Sequence, residues 1–193
     1  MGSGLILSLE DRFLIYNGFM SKPFVICFAG VPGCGKSSVA HQIAITHGLP
    51  RFERDKIRNE VKMDFGVTDI NEPRALEEFN RLSESRQKEL VSAGVPYVLD
   101  SSVDRTWEWT KKLHEENGYK LLVISFDLSA EWVKNHYEKF TNEHEPFREK
   151  YFKKHAEFVE KYGSDVSLTI EDKSLPDRIA LSEQAVRDFL LTI

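Results

Sequence analysis

Apolar positions in this chain come in two textures: short unbroken runs, and longer stretches in which they recur every three or four residues. The runs are residues 24–29 ("FVICFA"), 49–53, 95–100 ("VPYVLD"), 120–127 ("KLLVISFD") and 165–170 ("DVSLTI"). Runs of this length suit strands buried on both faces. Between them the spacing is helical. Val39, Ala40, Ile43 and Ala44 follow Lys36 and are stopped by Gly48 and Pro50. Ala75, Leu76, Phe79, Leu82 and Leu90 mark a long helix with Asn71 as N-cap and Gly94 as its end. Asp104 opens a helix through Trp109 and Leu113 that Gly118 closes, and Ser129 caps one carrying Trp132, Val133, His136, Tyr137 and Phe140. Pro146 suits the first turn of the next, lined by Phe147, Tyr151, Phe152, Phe158 and Val159, and a last helix runs from Pro176. Strands alternating with helices predict an α/β fold: a five-stranded parallel sheet with helices on both faces.

At 193 residues, one domain over residues 23–193 is the simplest count. Residues 1–22 read as an N-terminal extension to which no role is assigned, with Met20 just before the first strand. Ser8 suits the cap of a short helix there and Asn17-Gly18 a turn. This segment lacks a basic start and carries Glu10 and Asp11, so it does not read as a signal peptide. No apolar run reaches the length of a membrane span, so no membrane partner is expected. The net charge of −5 disfavours nucleic acid as a partner, while leaving room for a local basic groove. Cys27 and Cys34 form neither a disulfide framework nor a metal pattern, which makes a reducing cytoplasm the expected compartment.

The chemistry starts where the first run ends. Gly30, Val31, Pro32, Gly33, Cys34, Gly35, Lys36 and Ser37 ("GVPGCGKS") match the Walker A pattern G-x-x-x-x-G-K-[ST] in full, and Ser38 follows. Glycines let the backbone turn tightly and present N–H groups to phosphate oxygens, and the helix that follows adds its positive end. Lys36 is expected to reach the β- and γ-phosphates of ATP, and Ser37 to place its hydroxyl on Mg²⁺. At the average glycine frequency of about 7% a chance match in a chain of this length is roughly a 1% event, and the strand before it and helix after it supply the confirming context.

Two further elements fall past strand ends. In "FERDKIRNE", Asp55 and Arg58 stand three apart on one helical face. A carboxylate there can take the proton of an attacking hydroxyl, and the arginine can hold an anionic group. The plainer alternative makes Asp55 an N-cap and Arg58 a solvated charge. "YVLDSS" ends its strand in Asp100, which suits the Mg²⁺-side carboxylate; an ordinary strand-end turn is the alternative. Arg105 follows closely, placed either to reach substrate or to stay at the surface.

From Phe24 onward these pieces, in order, resemble the small P-loop kinases of the zeta-toxin-like and polynucleotide-kinase-like group. The Walker A loop is the specific part. "RDKIR" resembles the D-x-x-R element of that group, whose Asp is the base toward the acceptor hydroxyl and whose Arg contacts phosphate, and this carries over to Asp55 and Arg58. "VLDSS" looks like the strand-end Asp element, and "FDLSAEWVKNHYEKF" like the segment leading into the lid. The resemblance implies a P-loop NTPase fold with a small helical lid, placed at about residues 134–150. In one respect the chain departs from the group. The lid helix of such kinases carries arginines, whereas here that helix offers Lys134 and Lys139, and the nearest arginine is Arg148. Lysine lacks the bidentate fork of arginine: either Arg148 supplies the lid cation, which is the expectation adopted, or the lysines suffice, or the chain binds ATP without efficient transfer.

The expected function is ATP-dependent, Mg²⁺-assisted transfer of a phosphoryl group to a hydroxyl of a small molecule or nucleotide-like acceptor. The catalytic set is Lys36, Asp55, Arg58 and Arg148, with Ser37 and Asp100 at the metal. The alternatives are an ATP-binding or hydrolysing regulatory module and a 5'-hydroxyl nucleic-acid kinase. The aromatic residues Trp107, Trp109, Trp132 and those from Phe147 to Tyr162 fit helix faces better than base-stacking platforms. His41, His136, His144 and His155 show no metal-ligand spacing.

Overall fold

The computed structural model of the protein describes residues 22–136 and 145–193, without the side chains of residues 136 and 145–148. The expected cap at Ser8, the turn at Asn17-Gly18, and Tyr137, Lys139, Phe140 and His144 lie outside the described residues, as do the side chains of His136, Pro146, Phe147 and Arg148.

Five strands form one sheet: β1 (Phe24–Gly30), β2 (Arg51–Glu53), β3 (Tyr97–Ser102), β4 (Lys120–Phe126) and β5 (Leu168–Ile170). Their order across the sheet is β2-β3-β1-β4-β5, every pair parallel. The helices are α1 (Lys36–His47), α2 (Arg54–Phe65), α3 (Pro73–Ser92), α4 (Trp107–Glu116), α5 (Ala130–His136), α6 (Glu145–Tyr162) and α7 (Arg178–Leu190).

All seven residues of β1 are buried, because it lies in the centre and both its faces are covered. Phe24, Ile26 and Phe28 point into a core closed by Val39, Ala40, Ile43 and Ala44 of α1, Val133 of α5 and Val186 of α7. Val25, Cys27 and Ala29 point the other way, into a core closed by Ile57 and Val61 of α2, Ala75, Phe79 and Val91 of α3, Trp107 of α4 and Phe158 of α6. The alternation along one continuous apolar strand is the period-two geometry of a sheet covered twice. The expected α/β fold with its five-stranded parallel sheet is what forms. The aromatic residues expected on helix faces include Trp107 and Phe158, which meet edge-on at 6.1 Å inside the second core.

Several boundaries move for local reasons. β2 begins at Arg51 rather than at residue 49. β3 begins at Tyr97 rather than at residue 95, because the Val95 N–H turns back to Leu90 O and closes α3. It then runs past Asp100 through an irregularity opposite Cys27 and Phe28. Asn71 is not the cap of α3: that position falls to Glu72, with Pro73 in the first turn, and the Asn71 amide bonds Asp69 instead. Asp104 does not open α4, which starts at Trp107 after Thr106. β5 is shorter than expected, because residues 163–165 form a 3₁₀ turn whose Asp165 accepts from Trp107 Nε1. Ser129 does cap α5, accepting the Trp132 N–H at 3.0 Å. Both cysteines are buried and free. Among the described residues no helix is long and apolar enough to cross a membrane.

Candidate functional site

The order of the strands places the Walker loop at the middle of the sheet's C-terminal edge. The chain leaves β1 toward β2 and β3 on one side and later crosses to β4 and β5 on the other, so β1 stands where the winding reverses. Open α/β sheets bind ligands at that crevice. Gly30, the last residue of β1, has φ +130°, and a Cβ there would stand 2.9 Å from Phe126 O and 3.0 Å from Cys34 Sγ. The loop passes β4 too closely for any side chain. Gly35, with φ +97°, turns the chain into α1.

Between these glycines Val31 and Cys34 tuck inward and Pro32 and Gly33 face solvent. No acidic residue occupies the first turn of α1 and no side chain caps it. Neither an acidic residue of its own first turn nor a side-chain cap competes for its N–H groups, the arrangement in which a helix start accepts an anion. Lys36 is buried and donates from Nζ to Gly30 O at 2.8 Å and Val31 O at 2.6 Å, with Cys34 Sγ at 3.2 Å. An ammonium out of water needs such partners, and it takes them from its own loop. Ser38 Oγ closes the turn by donating to Gly35 O at 2.7 Å.

Ser37 and Asp100, expected at one metal, are in direct contact: Ser37 Oγ donates to Asp100 Oδ1 at 2.9 Å. Asp100 lies in register with Glu53 of β2, its side chain is 9% exposed, and Arg51 Nη1 is 3.6 Å from its Oδ2. Burial pushes the Asp100 carboxyl up from its ordinary range; the Ser37 hydrogen bond and Arg51 pull it back, while Glu53 and Asp55 add to the rise. A shielded carboxylate beside a hydroxyl is an oxygen-only donor set, which fits Mg²⁺. Among the described residues no group of three or more His, Cys, Asp or Glu side chains could hold a metal. A pair of protein oxygens thus suits an ion shared with phosphate better than one caged by protein.

Asp55 and Arg58 sit in the first turns of α2, directly after β2, on the same sheet edge as Asp100. They are paired, Arg58 Nη1 donating to Asp55 Oδ1. The alternative of Asp55 as an N-cap does not hold: Glu53 occupies that position, and no side-chain cap is made. Asp55 is instead 76% exposed. Lys134 is exposed on α5, and the backbone of Arg148 falls in the first turn of α6.

Three contributors escaped the sequence reading. Asp104 accepts the Gly30 N–H with both carboxylate oxygens, at 3.1 and 3.3 Å. Behind it stands buried His155 of α6, Nδ1 3.3 Å from Asp104 Oδ2, with its ring stacked on Phe158. Arg178 starts α7 and lies against Gly35, its Nε 3.6 Å from where a Cβ would stand. A strand-end Asp, as at position 100, was the available signal for Asp104; nothing local marks His155 or Arg178.

No curated protein matches the chain in sequence. Solved structures match its fold. A gluconokinase from Sinorhizobium meliloti is 19% identical, covering 89% of this chain and 94% of its own, with a TM-score of 0.57. Shikimate kinase from Acinetobacter baumannii in complex with shikimate is 18% identical, covering 89% and 97%, at 0.56. The APS kinase CysC of Mycobacterium tuberculosis in complex with AMPPNP and APS is 14% identical, covering 86% and 98%, at 0.53. A family model described as an AAA domain, AAA_33, matches residues 25–146, from the first strand through the Walker loop, the Asp55–Arg58 turn and Asp100 to the start of α6. That span holds the phosphate loop together with Asp55, Asp100 and Asp104, and by it the chain belongs to the AAA_33 family of AAA domains.

Proposed function

We propose that this protein is an ATP-dependent kinase that transfers the γ-phosphoryl group to a hydroxyl of a small molecule or nucleotide-like acceptor, within the zeta-toxin-like and polynucleotide-kinase-like group. The observation that carries the reading is a juxtaposition. One sheet edge holds a complete phosphate loop, a Ser37–Asp100 oxygen pair and, two residues past the partner of Asp100 in β2, the Asp55–Arg58 pair. A protein that only bound or hydrolysed nucleotide would not need the last of these. Kinases named for gluconate and for shikimate share the architecture, and one neighbour holds AMPPNP.

The roles follow from chemistry. The loop N–H groups and Lys36 hold the phosphates, Lys36 exchanging its bonds to Gly30 O and Val31 O for phosphate oxygens. Ser37 and Asp100 hold Mg²⁺, which neutralises phosphate charge when bound. Asp55 takes the hydroxyl proton as the acceptor oxygen bonds to the γ-phosphorus and the bond to ADP breaks. Arg58 keeps the Asp55 carboxylate oriented and faces the acceptor or the transferring group. Arg148, at the start of α6, supplies the lid cation that the α5 side of the lid offers only as lysine.

An acceptor screen with labelled ATP and a metabolite library tests this, using wild type, Lys36→Ala and Asp55→Asn. The expected result is a phosphorylated product, lost with Lys36→Ala together with most nucleotide affinity. Asp55→Asn is expected to lower it by about 10²-fold or more while ATP still binds. Hydrolysis insensitive to Asp55 and no labelled product would point to the regulatory ATP-binding module instead. Labelled oligonucleotide ends would point to the nucleic-acid kinase.

A further inference from the structure

Around Asp55 the charges do not balance. Arg54 is the first residue of α2, and its Nε is buried without a hydrogen-bond partner among the described residues. Its guanidinium carbon lies 4.9 Å from the centre of the Phe79 ring, and that of Arg58 lies 5.5 Å from the same ring. Arg105, on the loop between β3 and α4, sets its guanidinium 5.8 Å from the Tyr151 ring of α6. Among the described residues, the one carboxylate ion-paired with any of these arginines is Asp55, which is paired with Arg58. Burial, then the positive charges of Arg58 and Arg105, hold Arg54 below its usual range, and Asp55 and Glu84 oppose that only through space.

A partly buried guanidinium beside two other cations, with no bonded anion among the described residues, is a costly arrangement. The aromatic rings fix where these side chains point, but a ring face does not use the N–H fork. What the fork fits is an oxyanion: planar donors in fixed geometry, paired to a carboxylate or phosphate. This corner adjoins the carboxylate assigned to the acceptor hydroxyl. We infer that the acceptor is itself anionic, carrying a carboxylate or phosphate group that Arg54 and Arg105 hold while its hydroxyl meets Asp55. Specificity then comes from the unmet demand of the buried Arg54 fork and from the positive charge of Arg105 at the mouth of the site. A neutral polyol of the same shape leaves Arg54 without an anionic partner and gains nothing from the charge of Arg105, so it is discriminated against.

This inference rests on the kinase reading, so the first measurement needs no transfer. Protein saturated with AMPPNP and Mg²⁺, so that the Walker loop is filled, is titrated calorimetrically with inorganic phosphate at low ionic strength. One phosphate per chain should bind, weakened about 10-fold or more by Arg54→Gln and by Arg105→Gln, the loss expected for one charge-assisted hydrogen bond. Arg54→Lys, which keeps the charge but not the fork, should fall between. Arg105 is exposed, so its variant remains decisive if Arg54→Gln does not fold. Absence of phosphate binding, or an affinity unchanged in folded Arg105→Gln, overturns the inference. A second arm compares acceptors in matched sets, each neutral sugar or polyol against its carboxylated and its phosphorylated counterpart. Labelled ATP should mark an anionic member at least 10-fold better than its neutral twin, and the better anion tells carboxylate from phosphate. Equal use of the neutral twin overturns the inference. Transfer to none of them sinks the kinase reading, while the phosphate titration still decides the anion site.

Discussion

Replacing Asp100 by asparagine should make the nucleotide-free protein more stable and its Mg²⁺·ATP complex weaker. The carboxylate is 9% exposed and is met by one hydroxyl at 2.9 Å and one guanidinium at 3.6 Å, beyond hydrogen-bond range. Its pKa in the folded protein is raised, burial being the largest cause. A carboxyl whose folded pKa is raised binds its proton more tightly in the native state. The contribution of Asp100 to stability is therefore greatest at low pH and is lost as pH rises through its native titration. The amide is never charged and can still bond Ser37. Arg51 is not orphaned, since it retains Glu53 at 2.5 Å. Removing a poorly compensated buried charge should then raise stability at pH 7.5 by about 1 kcal/mol, or about 2–4 °C of melting temperature in a chain of this size. The gain should shrink as the buffer is taken toward pH 4. With Mg²⁺·ATP the order should invert. A ligand at a hundredfold its Kd adds about 2.7 kcal/mol, and the variant should lose most of the Mg²⁺-dependent part of that increment. Thermal melts from pH 4 to pH 8, with ATP alone and with Mg²⁺·ATP, read both effects. A variant that melts below wild type without nucleotide at pH 7.5, or that keeps the full Mg²⁺·ATP increment, refutes the account of Asp100.

Asp104→Ala leaves the Gly30 N–H without its acceptor and should lower stability by about 1–3 kcal/mol; Asp104→Asn, which keeps an acceptor oxygen, should recover part of it in the same urea titration. Gly30→Ala forces a Cβ to within 2.9 Å of Phe126 O at φ +130°, and the strain and overpacking together should cost about 3 kcal/mol or more. A wild-type unfolding midpoint would mean that the loop does not pass β4 this closely. For the lid, single-turnover transfer should fall about 10³-fold in Arg148→Ala, with a smaller loss of ATP affinity. A silent Arg148→Ala beside a crippled Lys134→Ala or Lys139→Ala reassigns that charge to a lysine.

Local chemistry made much of this legible in the sequence. The Walker loop needs glycine where the backbone passes close, at Gly30, and where it turns with positive φ, at Gly35. Buried strands betray themselves as unbroken apolar runs, so both faces of β1 could be foreseen from "FVICFA". Ser37 and Asp100 were paired by role, 63 residues apart, and the sheet brings them into contact. What stayed hidden depends on which segments meet. Asp104 looked like a helix cap because Asp commonly is one, yet its carboxylate reaches across 74 positions to Gly30. Arg54 reads as one more helix-surface cation until Phe79 and Arg105 arrive from α3 and from the loop after β3. The His114 ring links Thr110 O and the Tyr97 hydroxyl, which in turn accepts from Gln87. That buried chain of bonds leaves no periodic trace in the sequence.

Because the Lys36 ammonium already binds the carbonyls of Gly30 and Val31, the loop carries an internal counter-ion that holds its shape before any phosphate arrives. The rotamer freedom of that lysine, worth about 1.5–2 kcal/mol, is lost on folding rather than on binding. Phosphate capture is then an exchange of one set of charge-assisted bonds for another. Calorimetry of ATP binding should accordingly show a modest enthalpy from this contact and little ordering entropy against it. The rate of capture should be gated by how often the ammonium lets go of its own backbone.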